Sequence, residues 1–279
     1  MFKRKKLLIA LLMAIIGVPL FLSDQNNRLV VTEFELEGLD QSHFGELKIV
    51  HLSDLHSKSF GSKQRKLLNR VEELQPDLIV VTGDLIDAKK AESEAPLHLM
   101  EGLVELAPVY FVTGNHEWWS GDFGQLEMNL EQIGVEVMRN DYKTVHLKKG
   151  QLNIVGIDDP AIQSNQSEEI TTEQHLSVIF ENELIEAENY TILLAHRPEF
   201  FALYQEYDVD LILSGHAHGG QIGLPNNGGL IAPNQGLFPE YVKGMYTGKS
   251  SKMIVHRGLG NSIIPQRLFN RPEIILLRN

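Results

Sequence analysis

Five short clusters carry the residues of this chain that could do chemistry. They are Asp54-Leu55-His56, Gly83-Asp84, Gly114-Asn115-His116-Glu117, His196 and Gly215-His216-Ala217-His218. Carboxylate, imidazole and amide groups are the donors that hold divalent first-row metals where no thiolate is offered. The chain has no cysteine. That excludes a disulfide framework, a thiolate zinc site, an iron–sulfur cluster, a cysteine nucleophile and a lipid-modified N-terminal cysteine. Singly, each cluster has a plain structural reading, because Asp-x-His and Gly-Asp are common in turns and lone histidines are common in cores. Five in series, each at the same kind of position, point to one metal site.

That position is the end of a strand. Apolar runs at 47–52, 78–81, 109–112, 191–194 and 211–213 each lead directly into one of the clusters. Helical patterns lie between them, at about 63–74, 93–106, 123–133, 172–184 and 199–204. A further strand is expected where Val30, Thr32, Phe34 and Leu36 alternate with Glu33 and Glu35. Strands alternating with helices predict an α/β layered domain, and ligands of such sheets bind where the strand carboxyl ends emerge. A carboxylate at the mouth of a buried strand costs several kcal/mol unless its charge is compensated, and a divalent cation compensates it best. Small residues beside the clusters (Ser53, Gly83, Gly114, Gly215, Gly219, Gly220) allow close backbone approach. No Gly/Ser/Pro-rich linker divides the region from 54 to 218, so one domain must hold the whole set.

The chain has 279 residues, 43% hydrophobic and 22% charged, which fits a globular fold with a sizeable core. Its formal net charge is −12, and all four basic residues of the first 23 precede any acid. The remainder holds 21 basic against 37 acidic residues, which argues against a nucleic-acid partner. Behind Lys3, Arg4, Lys5 and Lys6 runs an apolar stretch from Leu7 to Leu22. Its length lies between a signal-peptide core and a full span. The sequence favours an uncleaved anchor over a removed signal, because Phe21-Leu22-Ser23 makes a poor cleavage site. Residues 1–23 are therefore expected to anchor the chain at the cell membrane, with 24–279 outside the cytoplasm by the positive-inside rule. Secretion after cleavage is the alternative.

Together the clusters resemble the calcineurin-like metallophosphoesterase superfamily, whose signature is D-x-H, G-D, G-N-H-[DE], a lone His and G-H-x-H. Every element of that signature is present, and the likeness runs from about Phe44 to the end of the chain. SGHAHGGQ at 214–221 and RGLGNSIIPQRLFNRPEI at 257–274 narrow it to the YkuE/YaeI-like bacterial branch, membrane-associated or secreted. The resemblance implies a four-layer α/β fold, with two mixed sheets face to face and helices outside. It also implies two divalent metal ions. Asp54, His56, Asp84 and His218 would hold the first, and Asp84 would bridge to a second completed by Asn115, His196 and His216. A mixed nitrogen/oxygen set suits Mn²⁺, iron, Zn²⁺, Co²⁺ or Ni²⁺. The implied reaction is attack of a metal-bridging hydroxide on phosphorus. His116, not needed as a ligand, would be the catalytic general acid. The expected substrate is a phosphorylated small molecule, lipid or cell-wall polymer, with a tethered nucleotide phosphodiesterase and a non-catalytic metal-binding scaffold as alternatives.

Other residues invite two readings each. Glu117 could orient His116 or face solvent. Trp118 and Trp119 could stack on a base, lie against lipid or pack in the core. Arg197 and Arg257 could grip phosphate, although structural salt bridges are the better reading. Asp158-Asp159-Pro160 reads as a turn, and His51, His98, His146, His175 and His256 as structural.

Overall fold

Strands that are apolar at every position must be covered on both faces, and the central strands of this protein are. The computed structural model describes residues 2–39, 44–90, 94–147, 149–182, 185, 188–226, 228–261 and 264–279, with the side chains of 2–4, 7–12, 14 and 182 outside that description. In chain order the strands begin β1 (Val30–Glu35), β2 (Lys48–Leu52), β3 (Leu78–Thr82), β4 (Val109–Val112), β5 (Glu136–Val137), β6 (Asp141–His146) and β7 (Gln151–Gly156). They continue β8 (Tyr190–Leu194), β9 (Leu211–Ser214), β10 (Ile231–Ala232), β11 (Gly236–Leu237), β12 (Gly244–Thr247), β13 (Lys252–Val255) and β14 (Glu273–Arg278). The helices are α1 (Phe2–Asn27), α2 (Arg65–Leu74), α3 (Ala95–Val104), α4 (Asn115–Trp119), α5 (Phe123–Ile133), α6 (Glu168–Asn182) and α7 (Phe201–Tyr204).

Two six-stranded mixed sheets result, ordered β1-β14-β2-β3-β4-β5 and β12-β13-β9-β8-β7-β6, with β10 and β11 as a separate short pair. Strand alternation divides the apolar residues among three cores. Val50, Leu52, Ile79, Val81 and Phe111 meet Leu67 and Val71 of α2, Leu103 of α3 and Leu130 of α5. Their neighbours Ile49, Leu78, Val80 and Val112 turn the other way, against Ile154, Ile192, Leu194 and Leu213 of the second sheet. Leu193 and Ile212 face outward again, under Leu176 and Ile179 of α6 and Tyr204 of α7. Each such side chain contributes about 1.5–3 kcal/mol by burial. The layers are helix, sheet, sheet, helix, as expected.

Helix ends shift for local reasons. α6 starts at Glu168 because Ser167 Oγ accepts a hydrogen bond from Ile170 N. The segment expected to be helical from Glu199 opens instead as a tight turn over Pro198–Phe200 before α7. The ends expected at Ser93 and Leu184 lie outside the described residues.

The end of α1 is docked on the segment 265–271. Asn26 donates to Pro265 O at 2.9 Å and accepts from Arg267 N at 2.8 Å. Gln25 Oε1 accepts from Phe269 N at 2.7 Å, and Asp24 pairs with Arg271. Among the described residues, no helix is long and apolar enough to cross a membrane. Met13, Ile15, Ile16, Val18 and Leu20 are nonetheless exposed along α1.

Candidate metal centre

Five strands, parallel within each of the two sheets, deliver the clusters: Asp54 and His56 follow β2, Asp84 follows β3, Asn115 and His116 follow β4, His196 follows β8, and His216 and His218 follow β9. Donor atoms of Asp54, His56, Asp84 and His218 lie within 4.8 Å of one another, and so do those of Asp84, His196 and His216. Asp84 belongs to both groups. Its Oδ2 is 3.4 Å from His56 Nε2 on one side and 3.4 Å from His196 Nε2 on the other. His218 Nε2 is 3.3 Å from Asp54 Oδ1 and 2.9 Å from His56 Nε2. His216 Nδ1 is 3.2 Å from His196 Nε2. His196 Nδ1 lies 2.7 Å from Thr82 O, to which it donates, which turns its Nε2 towards Asp84 and the cluster.

All seven side chains are buried, and the donor set fits cations better than it fits empty space. Burial, with the charge of Asp84 beside it, pushes the Asp54 carboxyl up to about 7. Burial drives His56 down to about 4 and His216 and His218 well below their usual range. Asn115 Oδ1 is buried without a hydrogen-bond partner. Converging lone pairs, crowded carboxylates and an orphaned amide oxygen are all relieved by divalent ions. The backbone is also strained here. Asp54, His56, Asp84, His216 and His218 all take left-handed φ angles between 47° and 63°, a conformation that costs non-glycine residues energy and gathers at functional sites. Gly114 and Gly215 permit the close packing: a Cβ on the first would meet Asp84 Oδ1 at 2.4 Å, and on the second Ser53 Oγ at 2.0 Å.

His116 stands outside both groups. Its Nδ1 accepts from Ala88 N at 3.1 Å, which places the ring proton of the neutral form on Nε2. Its ring meets His56 edge-on at 4.5 Å, and its side chain is 20% exposed, unlike the ligand candidates.

A family description, Calcineurin-like phosphoesterase, matches residues 47–220. The chain belongs to this family. The metallophosphoesterase YkuE of Bacillus subtilis is 33% identical over 236 residues, 83% of this chain and 78% of that one, in keeping with the bacterial branch read from the sequence. A Danio rerio transmembrane protein with metallophosphoesterase domain is 30% identical, covering 96% of this chain and 60% of its own. Among solved structures, TT1561 of Thermus thermophilus has a TM-score of 0.50 at 15% identity, over 76% of this chain and 90% of that one, a likeness of fold alone. This calcineurin-like phosphoesterase is accordingly a phosphoester hydrolase, with a buried His/Asp cluster suited to a dinuclear metal site.

The structure decides several open readings. Glu117 neither faces solvent nor orients the His116 ring. It is buried and accepts from Asp84 N, Gly114 N and Ile86 N at 2.9, 2.7 and 3.1 Å, tying the loop after β3 to the loop after β4. Glu117→Ala would leave three buried N–H groups unpaired, at about 1–3 kcal/mol each. A loss of roughly 3 kcal/mol or more in metal-free denaturant unfolding is expected, and an unchanged midpoint would mean the tie carries no stability. Asp158-Asp159-Pro160, read as a turn, is chiefly a buried ion-pair node. Asp158 holds Arg139 at 2.8 Å, and Asp159 holds Arg197 at 2.6 Å while also capping the turn through Ala161 N. Arg197 and Arg257 are structural, the latter paired with Glu273. Trp118 packs under Arg139 and donates to Thr113 Oγ1, whereas Trp119 is 61% exposed with its ring 5.3 Å from His116. Nothing near Asp158 in the sequence marks its partner Arg139, and for Glu117 only the bond to Gly114 N, at the three-residue spacing of a capping box, is local. The only available signal was a carboxylate set close behind an apolar run.

Proposed function

We propose that residues 24–279 are a hydrolase domain cleaving a phosphate ester or pyrophosphate bond at the outer face of a membrane, and that residues 1–23 are its anchor. The observation that carries the catalytic part is Asp84 standing between two donor groups with His116 beside them. Asp54, His56, Asp84 and His218 would hold one ion, and Asp84, Asn115, His196 and His216 the other, with Mn²⁺, iron or Zn²⁺ as candidates. Such ions supply Lewis acidity and bring the pKa of bound water near neutrality. His116, held by Ala88 N with Nε2 free to donate, gives its proton to the leaving oxygen. Glu117 fixes the two loops that aim Asp84 and His116. The anchor reading is supported by the apolar run behind four basic residues, by the exposed apolar side chains of α1, and by a relative whose name describes a transmembrane protein.

The test is hydrolysis of a phosphomonoester and a phosphodiester chromogen by the full chain, with Mn²⁺ and with chelator. Chelator-sensitive turnover is expected, and turnover of the diester alone would narrow the substrate to headgroup, nucleotide or polymer linkages. Absence of turnover across a broad panel with two metals bound would instead support a scaffold.

Trp119 favours one second reading, a nucleotide phosphodiesterase, because an exposed indole beside the acid can stack on a base. If so, Trp119→Ala raises KM for a nucleotide diester about 5- to 100-fold, the range of one lost stacking contact, with kcat held and a non-aromatic diester unaffected. Equal KM values for both substrates would remove the nucleotide reading.

A further inference from the structure

Two adjoining cavities flank Phe269 at the foot of α1. One, of about 520 Å³, is lined by Phe21, Gln25, Arg257, Phe269 and Arg271 among others. The second, of about 540 Å³, lies between the edge strands β1 and β12 and adds Lys243, Met245 and one carboxylate, Glu273, which is paired with Arg257. The groove they form has an apolar ridge and a basic floor. Phe269 is 68% exposed, a large aromatic ring standing in the open, and its centroid is 5.9 Å from that of Phe21. Phe21 lies one residue before the end of the apolar run at Leu22. Phe269 therefore stands at the level where that run would leave a bilayer, the depth at which aromatic side chains gather.

The cations sit at the same level. Arg257 and Arg271 are held in place by Glu273 and Asp24. Lys243 is half-buried, and burial with Arg257 beside it holds its ammonium below the usual range against the opposing pull of Glu273. A basic, apolar-rimmed groove on a body with 37 acidic against 21 basic residues is a local exception that calls for an anionic, amphipathic occupant. The foot of α1 does not swing freely either. Gln266 Nε2 reaches Leu22 O at 3.1 Å, Lys58 Nζ donates to Asn26 O and to Leu259 O, and Gln25 is buried. Asn270, next to Phe269, donates to His218 O at 2.7 Å, so the same segment braces the metal centre.

We infer that the groove around Phe269 is a docking surface for an anionic phospholipid membrane, holding the catalytic body at a fixed orientation on the bilayer that α1 enters. This rests on the anchor reading above and is independent of the hydrolytic one.

The absence of native cysteine makes a clean test possible. The full chain carrying Met245→Cys, which lines the groove and leaves Phe269 intact, is spin-labelled and reconstituted in vesicles of phosphatidylcholine alone or with about one third phosphatidylglycerol. Glu131→Cys, on α5 near the opposite sheet edge, is the control. Retention after a carbonate wash reports the anchor, and Mn²⁺-dependent diester hydrolysis reports the active site. The expected result is that the label at 245, and not at 131, becomes several-fold less accessible to a water-soluble nickel chelate in the anionic vesicles. Lys243→Glu should reverse this, shifting the docked population by about tenfold or more, since each basic residue near such a surface contributes about fivefold and the substitution replaces an attracted charge with a repelled one. Equal accessibility of the two labels in anionic vesicles would overturn the docking surface. Protection indifferent to lipid charge and to Lys243→Glu would overturn the anionic lipid. Dipolar broadening between labels would assign the groove to a second copy, and loss in the carbonate wash would remove the anchor and the inference with it.

Discussion

Asp84→Asn is expected to release both metal ions together, weakening each by about 10²–10⁴-fold, the effect of removing one partner from a buried charge pair. Asp84 is common to both donor groups, with Oδ2 facing His56 and His196 at equal distance. Its other oxygen accepts from His116 N at 2.8 Å, and the asparagine amide oxygen can keep that bond. The variant should therefore fold and lose charge rather than structure. Metal content per chain, measured by plasma emission after dialysis, together with titration calorimetry, checks it. Two full equivalents retained would show that Asp84 does not bridge.

His116→Ala should do the opposite, keeping both ions while kcat falls by about 10²–10⁴-fold. The ring lies outside both donor groups, touches His56 only by its edge, and is fixed by Ala88 N so that Nε2–H points away from that bond. A general acid matters most when the leaving group is a poor one. The loss should be large for an alkyl ester and small for a nitrophenyl ester, whose leaving oxygen needs no proton. Equal losses on the two esters would assign His116 to positioning the cluster, and wild-type turnover would remove it from the mechanism.

The parts of this protein that were legible in advance are those written locally. A continuous apolar run that ends in Asp, His or Asn declares a doubly covered strand and what its end presents, so an α/β layered domain and the five clusters could be read from short segments. The two facing sheets and the division into seven ligands and one acid came from the resemblance to the family. What could not be read depends on partners far along the chain. Glu117 meets Asp84 N and Ile86 N only because the loops after β3 and β4 lie side by side. Asp158 and Asp159 have the composition of a turn and differ from one only through Arg139 and Arg197. The left-handed backbone at Asp54, His56, Asp84, His216 and His218 leaves no trace in residue type, since glycine, the usual marker, is replaced there by the functional residues. Trp118 and Trp119 show the same limit at one-residue resolution: adjacent indoles, one packed under Arg139 and one in the open.

The position of β14 bears on how the protein is made. Glu273–Arg278 pairs parallel with β1 and antiparallel with β2, seated between them. The sheet that carries Asp54, Asp84 and His116 thus has a gap beside β2 until β14 has been synthesised and seated. Closing that gap joins residues as far apart in the chain as Val30 and Glu273, the kind of pairing that slows folding. During synthesis the β1 and β2 edges stay open to mispairing, and the earlier clusters are complete in sequence long before they have a rigid support. The metal centre would therefore take up its ions late in folding, once β14 is seated and the loops after β2 and β3 have a fixed support.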